Sequence, residues 1–343
     1  MNAKRLGTLL AVALIATPTI AGEQQEPGAK KPAEFTISGP ITCLNLAVYL
    51  IHGDEVIPGK NCLTLQEALE TKKIVVHETG TVGQLSVENV AHDVDVFIQS
   101  GDIVKGGRQD RVIAFDLLVP PQSGRVAINS FCVEAGRWQQ RGTEDSARFS
   151  TSSGQLPGKG LRLAVNSARQ QGQVWEKVKE QQDKLSRTLK KNLADPKSPS
   201  SLQLTLEDKD LLAKIDSYVN KLQKAPEDKK KVIGFALAIN GKLESAEIYG
   251  SAVLLQKMWP KMLRAAAIDA LSDLQPGKRF EPADVDVVLA FLGDTDKNQQ
   301  TETTTKVSDR IQVIVRASAN SVSLETRDRQ REGRVIHRSF IAK

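Results

Sequence analysis

Two short polar stretches hold most of the side chains that could bind or act on a ligand. Residues 99–111 place Gly106 and Gly107 among charged side chains, and residues 131–138 add a second charged group. Both stretches adjoin apolar, strand-like runs, which predicts that they lie on turns between strands. Their charged residues are Asp102, Lys105, Arg108, Asp110, Arg111, Glu134 and Arg137.

One interpretation of these stretches is an anion-binding site. Backbone N–H groups around two consecutive glycines can form a concave nest for phosphate or carboxylate oxygens. Arginine and lysine side chains would add charge-assisted hydrogen bonds. The residues assigned to this role are Lys105, Gly106, Gly107, Arg108, Arg111 and Arg137.

Two other interpretations stay open. In the structural one, Gly106 and Gly107 form a two-residue hairpin turn, because such turns need positive φ angles. The nearby charges would then be rim pairs worth ~0.2–1 kcal/mol each. In the catalytic one, Asp102, Asp110 or Glu134 acts as a general acid or base.

The sequence lacks the common catalytic and cofactor motifs. The four histidines show no helical metal-ligand spacing. There is no serine elbow, phosphate-binding P-loop or dinucleotide fingerprint. We therefore predict no metal and no cofactor.

The N-terminus has the pattern of a cleavable signal peptide. Lys4 and Arg5 precede an apolar run at residues 6–15, and Thr19-Ile20-Ala21 fits a cleavage site. The apolar run is shorter than the ~20 residues that span a bilayer. We expect residues 1–21 to be removed, residues 22–34 to be a flexible mature terminus, and the protein to be exported to the periplasm or the extracellular space.

Export and amino-acid composition limit the kinds of partner that we expect for this protein. Formal net charge falls from +6 to +4 when Lys4 and Arg5 leave with the signal peptide, and aromatic residues make up only 4% of the chain. Mild basicity with few stacking residues argues against nucleic acid. The expected partner is a small anionic ligand or a protein, without stable membrane insertion.

An oxidising compartment permits a disulfide between two of the three cysteines. Cys43 and Cys62 would close a loop of ~20 residues, worth ~3 kcal/mol. Cys132 lies in an apolar run and is interpreted as a buried thiol. Spacing alone does not fix the pairing.

The order of elements predicts an α+β fold. Residues 35–140 are rich in short strands, and the C-terminal half is mixed and ends in a three-stranded β-meander. Between them we expect an amphipathic helix that contains residues 175–189 and ends at 195–200, and a second helix at 206–222. We expect one domain over residues 35–343, with a sub-boundary in the Ser- and Gly-rich loop at 143–160. Within the C-terminal half, residues 285–292 are expected to be extended and residues 294–306 to form a loop.

The two polar stretches also resemble the signature of a bacterial family, the ARG- and rhodanese/phosphatase-superfamily-associated protein domain. The resemblance rests on residues 101–107 with Gln109 and Arg111, and then on residues 132–138. Residues 232–241 and 259–263 fit it as well, so that it covers roughly residues 38–342. It implies an association with NAD-derived or ADP-ribose-type metabolism, and it implies no particular reaction.

Three hypotheses about function follow. The first is an exported, non-enzymatic protein that binds a small anionic ligand, phosphate-like or ADP-ribose-like, or a protein partner. The second is a hydrolase that acts on an anionic or nucleotide-like substrate with carboxylate acid/base residues. The third is that both polar stretches are structural and that the function lies on the helical face.

Overall fold

The central strands of the largest sheet are buried on both faces, and their side chains alternate between two apolar cores. In the strand Leu46–His52, Val48 and Leu50 belong to one core, whereas Tyr49 and Ile51 belong to the other. The computed structural model describes residues 35–57, 62–142, 146–151, 158–168 and 170–343. The predicted signal peptide, the mature terminus at 22–34 and part of the 143–160 loop lie outside these ranges.

Nearly all of the secondary-structure elements in the N-terminal half are short strands. They are β1 (Thr36–Cys43), β2 (Leu46–His52), β3 (Leu63–Thr64), β4 (Ile74–Glu78), β5 (Gln84–Asn89), β6 (Val96–Ile98), β7 (Ile103–Gly106), β8 (Arg111–Ile113), β9 (Leu117–Val119), β10 (Val126–Cys132) and β11 (Phe149–Thr151). The short helix α1 (Leu65–Glu70) interrupts them. It has the predicted capping box, in which Thr64 and Glu67 each accept a hydrogen bond from the other's backbone N–H.

The middle of the chain is helical. It contains α2 (Lys159–Leu163), a π-helical turn (Ala164–Ala168), α3 (Gln171–Leu189), α4 (Leu202–Leu206) and α5 (Lys209–Leu222).

The C-terminal half alternates strands with helices. Its elements are β12 (Val232–Ile239), β13 (Lys242–Tyr249), α6 (Ala252–Ser272), α7 (Val285–Leu292), α8 (Asp294–Lys297), β14 (Thr301–Lys306), β15 (Ile311–Ala317), β16 (Ser321–Asp328), a 3₁₀ turn (Arg329–Arg331) and β17 (Arg334–Ala342). Asn240 and Gly241 join β12 to β13 with φ angles of 53° and 78°, as the Asn-Gly hairpin signal predicts.

The strands form three sheets. The largest is antiparallel and has the order β1-β2-β12-β13-β17-β16-β15-β14. A six-stranded sheet has the order β11-β7-β8-β10-β5-β4, and a three-stranded sheet the order β3-β6-β9. The prediction of an α+β fold with a final β-meander is confirmed.

Helices cover both faces of the largest sheet. α6 packs against β2, β12 and β13 together with α5, and α7 packs on the opposite face. Pro260 lies inside α6 without ending it. None of the described helices has the length and apolar character needed to cross a membrane.

Two expectations for the C-terminal half are wrong. Residues 285–292 are helical, because Val288 and Leu292, four positions apart, are buried against the sheet. A short apolar run fits a helix and a strand equally well, so its composition did not decide between them. Residues 294–306 contain α8 and the exposed edge strand β14, whose pairing with β15 determines its structure.

Candidate functional site

A buried ion cluster brings the two predicted polar stretches together. Asp110, from the turn after β7, and Glu134, just beyond β10, are both fully buried. Two arginines lie between them. Arg141 Nη1 is 3.0 Å from Asp110 and 3.2 Å from Glu134, and Arg137 Nη2 is 2.7 Å from Glu134. The two carboxylates and the two guanidinium groups balance each other in charge.

Hydroxyl groups from the middle of the chain complete this cluster. Ser201 lies 3.1 Å from Asp110 and from Arg141, and Ser198 donates a short hydrogen bond to Glu134. Ser201 also caps α4 by accepting from the Leu204 N–H. The cluster therefore ties the N-terminal strands to the helical region.

The cluster shifts the two carboxyl pKa values in opposite directions. Burial and the negative charge of Glu134 raise the pKa of Asp110. Burial also opposes ionisation of Glu134, but hydrogen bonds from Arg137 and Ser198 outweigh it and lower the pKa. Burial separates both carboxylates from any dissolved substrate.

The backbone N–H groups of the glycine turn donate to acceptors within the protein. It spans residues 105–110 rather than the expected two residues, because Val104 pairs with Arg111 across the hairpin. The Gly106 N–H donates to Asp110, and the Gly107 N–H donates to the Arg148 carbonyl. Gly107 has a φ of 55° and lies over the Phe149 ring, which would collide with any Cβ.

The remaining basic residues also have partners in the protein. Lys105 pairs with Glu207 at 2.6 Å. Arg108 and Arg111 each place a guanidinium 5.5 Å from the Trp138 ring centre. The buried Arg111 also lies 3.5 Å from Glu78.

Asp102 lies apart from this cluster. It pairs with Lys261 of α6 and accepts the Gln99 N–H at 2.9 Å, and both charged side chains are buried. The structure thus joins Asp110, Glu134 and Arg137 in one cluster and separates Asp102 from them. An anion-binding or catalytic role for these residues stays a prediction.

The expected Cys43–Cys62 disulfide is absent, and all three cysteines are thiols. The backbone of Cys62 accepts from Lys257 in the first half of α6, whereas Asn45, beside Cys43, donates to the Ala270 carbonyl near the other end. These contacts lie about 20 Å apart along α6 at ~1.5 Å per residue. A disulfide needs Cα atoms about 4.4–6.8 Å apart. Cys132 is buried, as expected.

Sequence reasoning missed a second buried cluster around His337. Its imidazole lies 2.7 Å from Asp116 and 2.8 Å from Glu247, stacked on the Tyr249 ring. Burial opposes the charged imidazole, but the two carboxylates outweigh it and raise the pKa of His337 to about 9. The sequence signal for this cluster was the presence of Glu247 and His337 within the apolar runs of β13 and β17, since a buried charge needs a partner.

A cavity with accessible polar groups lies elsewhere, between α2, α3 and the end of α6. Its volume is about 480 Å³, which is within the range of small-molecule sites. Its charged and amide lining residues are Lys159, Gln173, Lys177, Glu180, Gln181, Lys184, Glu244, Asp269, Asp273 and Lys343.

Two carboxyl groups in this cavity have raised pKa values. Burial, with the nearby charges of Glu244 and Asp273, raises the pKa of Asp269 to about 7. Burial also raises the pKa of Glu244, although Lys159 pairs with it. Asp269 accepts only neutral donors in the described part of the chain, namely the Lys159 N–H at 2.8 Å and the Gln181 amide at 3.4 Å.

The cavity also contains a buried acceptor without a partner. The Gln181 side chain is 8% exposed, and its Oε1 lacks a hydrogen-bond donor among the described residues. An unpaired buried polar atom costs about 1–3 kcal/mol. The oxygen itself is shielded from solvent, so a ligand N–H or O–H would remove this cost only after the Gln181 side chain turns toward the cavity.

Exposed ion pairs line the outer part of the cavity. Lys177 pairs with Glu180 at 2.7 Å, and Lys184 pairs with Asp273 at 3.1 Å. Such pairs contribute about 0–1 kcal/mol, so a ligand anion can replace a carboxylate partner at little cost.

The comparisons with known proteins define the class of the chain. The family model for the ARG and rhodanese-phosphatase-superfamily-associated protein domain, ARPP-1, matches residues 34–341. The chain belongs to this family. Neither a curated protein nor a solved structure matches it. In the described ranges, no group of three or more His, Cys, Asp and Glu side chains is arranged to hold a metal ion.

Proposed function

We propose that this protein is an exported binding protein for a small anionic ligand, which occupies the cavity between α2, α3 and α6. The ligand carries a phosphate or carboxylate group near Lys177 and Lys184 and a hydrogen-bond donor near Gln181. The observation that carries the proposal is the unpaired Gln181 Oε1 beside Asp269, in a cavity lined by lysines.

The buried ion cluster has a different role in this account. Asp110 and Glu134 already bond to Arg137, Arg141 and two serine hydroxyls, so an incoming anion would have to displace a buried carboxylate. Removing one partner from a buried pair costs about 3–5 kcal/mol. The exposed lysine pairs of the cavity present no comparable barrier.

One observation favours a hydrolase as the second candidate. Asp269 and Glu244 line the same cavity, and the pKa of each is raised. A carboxyl group with a pKa near the working pH serves well as a general acid, and Glu244 could then act as the base. This candidate keeps the anionic substrate but moves the acid/base residues away from Asp102, Asp110 and Glu134.

Thermal-shift screening of the mature protein tests the binding proposal. The probes are inorganic phosphate, ADP-ribose, nucleotides and sugar phosphates. A ligand at 100 times its Kd adds ~2.7 kcal/mol of stability. We expect at least one probe to raise Tm, and we expect Gln181→Leu to abolish that rise without lowering Tm in the absence of ligand.

Two outcomes would contradict the proposal. Either no probe raises Tm, or a probe raises the Tm of the Gln181→Leu variant as much as that of the unmodified protein. A hydrolase would in addition release product from a nitrophenyl phosphate or a nucleotide, and Asp269→Asn would slow that release about 10²–10⁴-fold. Binding without turnover leaves the non-enzymatic proposal in place.

Export is proposed on the N-terminal pattern of residues 1–21. N-terminal sequencing of the protein recovered from cell fractions tests it. We expect the mature chain to begin at Gly22 in the periplasmic or medium fraction. A chain that retains Met1 and stays in the cytoplasm would contradict export.

A further inference from the structure

A second recess lies on the opposite side of α3. Residues of this helix at positions 173, 177, 181 and 184 line the cavity described above, whereas those at 175, 179, 182 and 186 line a groove of about 600 Å³. Both sets follow helical spacing, so α3 separates two recesses with different linings. The other wall of the groove comes from Ala135, Asn192, Ala194, Pro199 and Ser200.

Trp175 is the main apolar surface of this groove. It is 36% exposed, and among the described residues it has no stacked ring and no cation above it. The other two tryptophans are engaged. Trp259 donates its Nε1–H to Gln223, and Trp138 lies beside two arginines.

Planar polar groups surround this indole. The Glu176 carboxylate has no hydrogen-bond or ion-pair partner within the described ranges, and the same holds for the amide nitrogen of Asn192. Among the residues that the structure describes, Asp183 pairs only with Lys179, at 2.9 Å, and both are exposed. Carboxylates accept hydrogen bonds, and amides both donate and accept them. The groove therefore combines a flat apolar surface with several available polar atoms.

This combination suits a sugar ring. A saccharide has a C–H face that packs on an indole and a rim of hydroxyls that both donate and accept. Tryptophan offers such a surface at a low cost in side-chain entropy. The charges favour a neutral ring, since Glu176 and Asp183 outnumber Lys179 and would repel a phosphate. We infer that this groove is a binding site for a neutral saccharide, with Trp175 packed on the sugar ring and Glu176 and Asn192 bonded to its hydroxyls.

Isothermal titration calorimetry tests this inference. The probes are maltotriose, a trimer of N-acetylglucosamine and a trimer of xylose, which cover the common neutral ring types. We expect at least one to give saturable binding, which is lost in Trp175→Ala and partly kept in Trp175→Phe. Trp138→Ala is the matched control, because Trp138 is similarly exposed at 39%, and it should bind with unchanged Kd.

Two further variants, Asn192→Ala and Glu176→Gln, test the polar contacts while leaving the indole in place. Each should weaken binding about tenfold while circular dichroism and Tm stay unchanged. The inference is overturned if no probe gives saturable binding, or if Trp175→Ala binds as tightly as Trp138→Ala. It is also overturned if an unfolded peptide binds the groove and the saccharides do not compete with it. None of these outcomes depends on the anion cavity.

Discussion

The side-chain amide of Gln181 lies 3.4 Å from a carboxylate oxygen of Asp269, where α3 meets α6. The amide nitrogen faces the carboxyl group, and the amide oxygen has no donor in the described part of the molecule. A carboxyl group with a raised pKa and an unpaired acceptor thus share one cavity wall. This pair distinguishes the cavity from the two buried ion clusters, in which every carboxylate pairs with a cationic side chain.

Asp269 should make stability fall as pH rises from about 4 to about 7. Its pKa is raised from 3.8 to about 7 in the folded protein, so the folded state binds more protons than the unfolded state across that window. We expect Asp269→Asn to remove this contribution, which is at most about 4 kcal/mol at ~1.36 kcal/mol per pKa unit. Urea unfolding at pH 4, 5.5 and 7 measures it. Equal pH dependence in the variant and the unmodified protein would show that Asp269 titrates normally.

His337 should also make stability fall as pH rises, but over a higher pH range. Its pKa is raised from 6.5 to about 9, so its stabilising effect is fully present below pH 6.5 and is lost as pH rises through about 9. We expect His337→Gln to be most destabilising at pH 6 and least so at pH 9.5. NMR titration of the imidazole provides a direct check. An imidazole that loses its proton near pH 6.5 would refute the account of this cluster.

Arg141→Met should destabilise the protein by about 3–5 kcal/mol, because it leaves Asp110 and Glu134 buried with one fewer cation. Lys231→Met is the control, since Lys231 forms an exposed pair with Asp54 that water screens, and this variant should leave the free energy of unfolding nearly unchanged. Chemical denaturation of both variants gives the comparison. Similar losses in the two would mean that the cluster contributes little.

Cys43 and Cys62 should both be alkylated in the unreduced, unfolded protein. The structure places them at opposite ends of α6, so no bridge can join them. Mass spectrometry after denaturation with iodoacetamide counts the modified thiols. A mass consistent with an intact Cys43–Cys62 bridge would require a different packing of β1 and α6.

Local signals in the sequence predicted the parts of the fold that they determine. The Thr64–Glu67 capping box and the Asn240-Gly241 turn act within a few residues, and both form as expected. The edge strand β14 was missed because all of its residues face solvent or are only partly covered, and only its pairing with β15 makes it a strand. That pairing is a tertiary contact, which propensity does not encode.

The candidate site depends even more than the fold on tertiary contacts, which local sequence patterns do not predict. Charge density on turns drew attention to Asp110, Glu134 and Arg137, and these residues do meet. No local pattern indicated that Arg141 and Ser201 would enclose them. Asp269 lies in the otherwise apolar run at residues 265–271 of α6, and no local pattern there indicates a ligand site. Its pKa is raised by burial and by the nearby charges of Glu244 and Asp273, and Glu244 belongs to a different element, β13.

The most direct test of the account is the effect of two neighbouring lysines on the affinity for an anionic probe. Lys177 lines the cavity and Lys179 lines the groove on the other side of α3. Isothermal titration should show at least a tenfold weaker Kd for Lys177→Ala with the probe that raises Tm most, and an unchanged Kd for Lys179→Ala. Equal affinities in the two variants, or a larger loss in Lys179→Ala, would contradict the assignment of the anion site to this cavity.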